Sequence, residues 1–167
     1  MRFINFSVNI ESVSRKQTPP SLDATSKAII ELLQRDGRRS YADIGKTVGL
    51  SEAAVRQRVQ KLTDAGVMQI VAVTDPMRLG FSRQAMIGVR VSGDTRVVAD
   101  ALAEIAEVSY VLLSAGSFDI LAEIVCEDDD ALIELLNQQI RCIEGVSSTE
   151  TFVYLQLKKQ KYDWGTR

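Results

Sequence analysis

Between Ser51 and Lys61 the chain sets Glu52, Ala53, Arg56, Gln57 and Arg58 around the apolar pair Val55 and Val59. Hydroxyl, amide and guanidinium groups are the ones that hydrogen-bond phosphate oxygens and base edges. Other chemistries are poorly supplied. Histidine is absent, which removes the commonest general base and the commonest metal ligand together. The two cysteines, Cys126 and Cys142, are too few for a disulfide framework and are not spaced as a metal knuckle. They read as reduced thiols packed as small apolar groups. No cofactor motif and no convergent nucleophile and base are visible, so an enzyme would have to work through carboxylates or lysine.

The net charge is −2, but it is unevenly spread. Residues 1–75 carry eleven basic and eight acidic side chains, residues 76–167 nine and fourteen. Between positions 35 and 61, Arg35, Arg38, Arg39, Lys46, Arg56, Arg58 and Lys61 face only Asp36, Asp43 and Glu52. Charge segregated in this way suggests two jobs, one of them meeting a polyanion. Basic residues on a helix are most often a solvated face, so the surrounding elements must carry the argument.

Those elements are short. Residues 23–35 put Ile29, Leu32 and Leu33 on one helical face, with Asp23 as the N-cap. Asp36-Gly37 stops that helix. Ser40-Tyr41-Ala42-Asp43 then resembles a capping box, followed by the apolar pair Ile44 and Val48. Gly49 permits the left-handed turn, Leu50 plugs it, and Ser51 caps a third helix. On that helix Val55, Val59 and Leu62 form the buried stripe. Ala53, Gln57 and Gln60 face away, flanked by Arg56 and Lys61, with Arg58 near the buried edge. Two helices across a tight glycine turn are a helix-turn-helix, with Ser40, Ser51, Glu52, Ala53, Arg56, Gln57, Arg58 and Lys61 as the candidate DNA contacts. Residues 68–76 read as a short strand closed by Asp75-Pro76.

The second half alternates differently. Residues 84–91 read as a strand, 94–106 as a helix carrying Val97, Ala101 and Ile105 beside Val98 and Leu102, and 108–115 and 118–126 as strands around a Gly116-Ser117 hairpin turn. Residues 129–142 read as a helix through Leu132, Leu136 and Ile140, and 147–157 as a last strand. The order βαββαβ predicts an antiparallel sheet with both helices on one face, a ferredoxin-like domain. The fold class is therefore α+β, an N-terminal, winged-helix-like helix-turn-helix followed by that domain. The boundaries are a disordered extension 1–20, helix-turn-helix 21–66, linker strand and connection 67–83, ferredoxin-like domain 84–158 and polar tail 159–167, in which Trp164 is available to dock. The acidic run Glu127-Asp128-Asp129-Asp130 sits at a helix start, where carboxylates are stabilised by the helix dipole, and is not read as a metal site.

Residues from Leu22 to Phe81 resemble the N-terminal domain of the Lrp/AsnC (leucine-responsive, feast/famine) transcription regulators, and Gly116-Ser117-Phe118-Asp119 resembles the turn of that family's effector-sensing domain. The likeness covers roughly residues 21–158. Ala115 stands where many members have threonine, and Ser26 where an acidic residue is common. The resemblance implies a cytoplasmic regulator that binds double-stranded DNA and carries no cofactor. It implies dimers formed through the second domain, often assembled into tetramers or octamers, and an effector bound near the turn at an interface between dimers. The effector residues are then Ser114, Gly116, Ser117 and Asp119, with Thr149 and Thr151 lining the same surface. Backbone N–H groups at the glycine would hold a carboxylate and Asp119 an α-ammonium, which together describe an amino acid. A metabolic enzyme or its regulatory subunit built on an amino-acid-binding ferredoxin-like domain is the alternative, as is an architectural DNA-binding protein without an effector. No apolar run approaches the ~20 residues of a membrane span.

Overall fold

A computed structural model describes residues 22–167; the predicted extension 1–20 lies outside the described residues. The described residues form two compact units, one running to Ala72 and including Lys159–Arg167, the other Val73–Lys158.

The first unit has three helices, α1 Ala24–Arg35, α2 Tyr41–Val48 and α3 Glu52–Asp64. Each begins at a predicted cap. Asp23 accepts from the Ser26 amide, Ser40 from the Asp43 amide and Ser51 from the Ala54 amide, satisfying donors that the first helical turn leaves free. The turn between α2 and α3 depends on two glycines for different reasons. Gly49 has φ of 73°, where a side chain is strained. Gly45 lies so close to the turn that a Cβ there would be 2.5 Å from the Leu50 carbonyl oxygen. The amide of Leu50 donates back to the Gly45 carbonyl at 2.9 Å, closing the turn. Ile29, Leu33, Ile44, Val55 and Val59 form the buried cluster, so each helix contributes its apolar stripe.

The tail is not free of this unit. The Gly165 amide donates to Gln34 Oε1 at 3.2 Å and Thr166 Oγ1 to Glu31 Oε1 at 2.6 Å. Trp164 is 83% exposed and does not dock.

The second unit is a four-stranded sheet of β1 Arg83–Val91, β2 Val108–Leu113, β3 Ile120–Cys126 and β4 Val146–Val153, in the order β2-β3-β1-β4. All neighbouring pairs are antiparallel. Two helices, α4 Thr95–Ala103 and α5 Asp129–Glu134, cover the face carrying Ala85, Ile87, Val89, Ile120 and Ile124. This is the expected βαββαβ arrangement.

Several local expectations are corrected. Residues 68–75 form no strand: Ile70, Val71 and Val73 are exposed, and a 3-10 turn over Pro76–Leu79 follows. β-branched residues favour extended backbone, but a strand needs a ladder partner, and these have none among the described residues. The β2–β3 connection is not a two-residue hairpin. It is a loop from Ser114 to Asp119, closed by the Ser114 amide donating to the Asp119 carbonyl at 2.8 Å. Gly116 does not adopt a left-handed φ there.

On α4 the buried positions are Val98 and Leu102, whereas Val97 is 63% exposed. The helix expected over 129–142 changes pitch, passing from α5 into a π turn at Leu135–Gln139 and a 3-10 turn at Ile140–Cys142. That rotation keeps Leu132, Leu135, Leu136 and Ile140 all buried. β4 stops at Val153, leaving Leu155 and Leu157 exposed beyond it. Cys126 is buried, and burial pushes its thiol above the usual range. Cys142, expected to be packed, is exposed, with its thiol donating to the Asn137 carbonyl. In the acidic run, Asp128 caps α5 through the Ala131 amide and Asp129 forms a two-pronged pair with Arg83.

Candidate nucleic-acid interface and effector loop

The buried stripe of α3 fixes its opposite side in solvent. Glu52, Ala53, Arg56, Gln57, Gln60 and Lys61 are all exposed, while Val55, Val59 and Leu62 are buried. Arg56 is held rather than loose. Its Nη2 donates to Glu52 Oε1 at 2.9 Å, and its guanidinium carbon lies 5.2 Å from the centre of the Tyr41 ring on α2. A guanidinium stacked on an aromatic ring keeps its edge available for further hydrogen bonds. Tyr41 was visible in the sequence as part of the α2 start. Its partnership with Arg56 was not, because the two meet only when α2 and α3 cross.

Arg58 behaves differently from the other cations. It turns back to α1, where Nη1 donates to Asp23 Oδ2 at 2.7 Å and to Ser26 Oγ at 3.1 Å. Ser26, buried at this point, is the position where the resembled family often has an acid. Hydrogen bonds from the Ser26 side chain and amide, and then from Arg58, lower the Asp23 carboxyl to about 2. The contacts of Arg58 within the unit are therefore structural.

The Ser40 and Ser51 hydroxyls are likewise engaged in caps, Ser40 also donating to Asp43 Oδ2 at 2.8 Å. That bond, followed by the neighbouring Lys46, lowers the Asp43 pKa. Arg39 reaches Thr47 Oγ1 at 3.0 Å, and Lys46 sits 3.4 Å from Asp43. Gln57 and Lys61 form no side-chain hydrogen bond or ion pair with any described residue.

In the second unit, Ser114, Gly116, Ser117 and Asp119 are brought together by the loop. Asp119 is its anchor: its amide donates to the Val89 carbonyl at 3.0 Å, and its Oδ2 accepts from the Val91 amide at 2.8 Å. One oxygen of the carboxylate thus holds the end of β1. Thr149 and Thr151 are not brought to the loop's face. They pair with Val89 and Ile87, and directly opposed residues share a face, which here is the one the helices cover. Thr149 Oγ1 there accepts from Arg141 Nε at 3.0 Å. Alternation along β4 made these threonines look alike to the other candidates; only the register assigns their side.

The opposite sheet face carries Met86, Gly88 and Arg90 on β1, aligned with Phe152, Glu150 and Ser148 on β4. Leu112 and Leu121 pair across β2 and β3. Tyr154 reaches Glu123, and its phenol is pushed up to about 12 by burial and by that carboxylate.

A helix-turn-helix with a solvent-facing cationic helix, followed by a four-stranded α+β unit, defines a two-domain DNA-binding transcription regulator. Residues 22–63 match the AsnC-type helix-turn-helix domain, and residues 81–167 match a C-terminal dimeric alpha+beta barrel domain. The HTH-type transcriptional regulator FL11 of Pyrococcus horikoshii is 35% identical over 141 residues, covering 83% of this chain and 93% of the relative. The structure of E. coli AsnC matches with a TM-score of 0.73 and 27% identity, over 84% of this chain and 97% of that one. The complex of NMB0573 from Neisseria meningitidis with L-Met shares the fold, with a TM-score of 0.74 and 24% identity, over 86% and 96% of the two chains. This chain belongs to the Lrp/AsnC family of transcription regulators.

Proposed function

We propose that this regulator reads a specific double-stranded DNA sequence with the solvent face of α3, and that an amino acid bound at the Ser114–Asp119 loop, at a subunit interface, modulates that binding. The observation that carries the DNA reading is the placement of Arg56, Gln57 and Lys61 on the side of α3 opposite its buried stripe. Arg56 and Gln57 have the groups for base edges, and Lys61 has the charge for phosphate. The first-turn amides after Ser51, with Ala53 at the helix tip, meet the backbone, and Glu52 holds the Arg56 guanidinium. Arg58 and Ser40 serve by holding the helices in place.

The effector reading is supported by the glycine-containing loop anchored through Asp119 and by the methionine complex of a protein with the same fold. A homodimer is supported by the partly apolar sheet face that the helices leave open and by the dimeric description of the matched domain. Two heads in one dimer read half-sites about 10 bp apart or at multiples of that spacing. Tetramers or octamers built from such dimers would place the loop between subunits. The work of the protein is binding rather than catalysis, carried out in the cytoplasm where the DNA lies. Effector binding would act by favouring one assembly over another.

Selection of bound fragments from a random DNA pool, with and without a mixture of the twenty amino acids, tests both parts. The expected result is an enriched motif with two-fold symmetry whose recovery changes with the mixture. Recovery without sequence preference rejects specific recognition, and a motif indifferent to every amino acid rejects the effector.

A further inference from the structure

Gly88, in the middle of β1, is buried under the Phe118 ring: a Cβ at position 88 would stand 2.7 Å from three of its ring atoms. The ring therefore lies directly on the strand backbone, and it meets Phe152 edge-on with centroids 5.9 Å apart. Arg90, two residues along the same face, covers the ring with its guanidinium carbon 4.6 Å from the centroid. Its Nε donates to the Ser117 carbonyl at 3.0 Å and its Nη1 reaches Ser148 Oγ at 3.4 Å. One side chain thus joins the loop to β4.

Arg90 forms no ion pair with any described carboxylate; the Asp119 carboxylate accepts instead from the amide of the next residue, Val91. The Nη2 group and the second Nη1 hydrogen have no partner among the described residues, and the side chain is exposed. A planar guanidinium fixed by stacking and by its Nε bond, with its outer edge in solvent, has the geometry for a two-pronged carboxylate contact. Ordering that side chain in advance lowers the entropy a ligand must overcome.

We propose that Arg90 is the carboxylate-binding residue of the Ser114–Asp119 loop, with Phe118 and Gly88 setting the plane of its guanidinium. This rests on the loop being the effector site, and it assigns the ligand's chemical class as a free carboxylate. A bound carboxylate adds its contact to a guanidinium already bonded to the Ser117 carbonyl, and so braces the loop from the ligand side. Ligand occupancy is in this way converted into loop position.

The test is calorimetric titration of the full chain with each of the twenty amino acids, with their carboxamides, and with acetate and propionate. Wild type, Arg90→Lys, Arg90→Ala and Gly88→Ala are compared, each checked for fold by circular dichroism. An amino acid is expected to bind the wild type and its carboxamide not to bind. Arg90→Ala should weaken binding at least tenfold. Arg90→Lys, which keeps charge without the fork, should fall between. Gly88→Ala should weaken binding with the charge intact, because the ring that supports the guanidinium is displaced.

Amino-acid binding that survives Arg90→Ala, or equal binding of the carboxamide, overturns the role of Arg90 while the effector reading stands. Undiminished binding in Gly88→Ala removes the part given to Phe118. Acetate or propionate binding that vanishes in Arg90→Ala, without any amino-acid binding, supports Arg90 and rejects the amino acid. If no carboxylate binds the wild type, both readings fall.

Discussion

Arg58 on α3 donates to Asp23, the N-cap of α1, at 2.7 Å, so a residue of the third helix holds the start of the first. Within one helix, Arg58 is turned inward onto α1 while its neighbour Arg56 stays on the exposed side, bonded to Glu52.

Arg56→Ala is expected to weaken DNA binding with little change in melting temperature. Contact with phosphate would reduce the slope of log affinity against log salt by about 1, whereas contact with a base would relax discrimination by ~1–3 kcal/mol. Gel shifts at two salt concentrations on matched and altered sites separate these results. Unchanged binding on every site would remove Arg56 from the interface.

Arg58→Ala should do the reverse, lowering the melting temperature of the helical unit and leaving the salt slope near that of the wild type. The acid limb of the unfolding curve reports the same pair. Asp23 titrates at about 2 in the folded chain, below the ordinary carboxyl near 3.9. Its contribution is present above about pH 4 and is lost as pH falls toward 2. Asp23→Asn should flatten that part of the curve, measured as melting temperature against pH.

Gly45→Ala should damage the first unit more than Gly49→Ala. At position 49 nothing lies within 4 Å of an added Cβ, so the cost is the left-handed backbone, roughly 1–2 kcal/mol. At position 45 the Cβ meets the Leu50 carbonyl, which cannot move without opening the turn; overpacking of this kind costs ~1–3 kcal/mol or more. Urea unfolding of the two variants gives the order, and a milder effect at 45 contradicts the close approach.

Leu121→Glu places a charge on the sheet face away from the helices and should lower the assembly mass by sedimentation, with the circular dichroism spectrum retained. Ile87→Ala, fully buried on the other face, should instead cost ~2–5 kcal/mol of stability. Equal assembly mass in Leu121→Glu and wild type would place the dimer contact elsewhere.

Much of this architecture was legible along the chain because it is local. Caps at Asp23, Ser40 and Ser51, the turn glycine at 49 and the apolar stripe of α3 are decided within a few residues, and backbone hydrogen-bonding forces them wherever the chain goes. The βαββαβ order also followed from strand alternation and helical spacing along the chain. What escaped were features that depend on a partner distant in sequence. Residues 68–75 have strand composition but no ladder. The threonines at 149 and 151 acquired a side only from their register with β1. Arg58 was legible near the buried edge of its helix but its partner Asp23 came only from α1, and the stacking of Arg90 on Phe118 appeared only once the loop folded onto Gly88. Composition and periodicity determined which elements exist and which faces are apolar; tertiary structure decided which polar groups meet, because a long side chain's partner is fixed by three-dimensional distance and not by spacing along the chain.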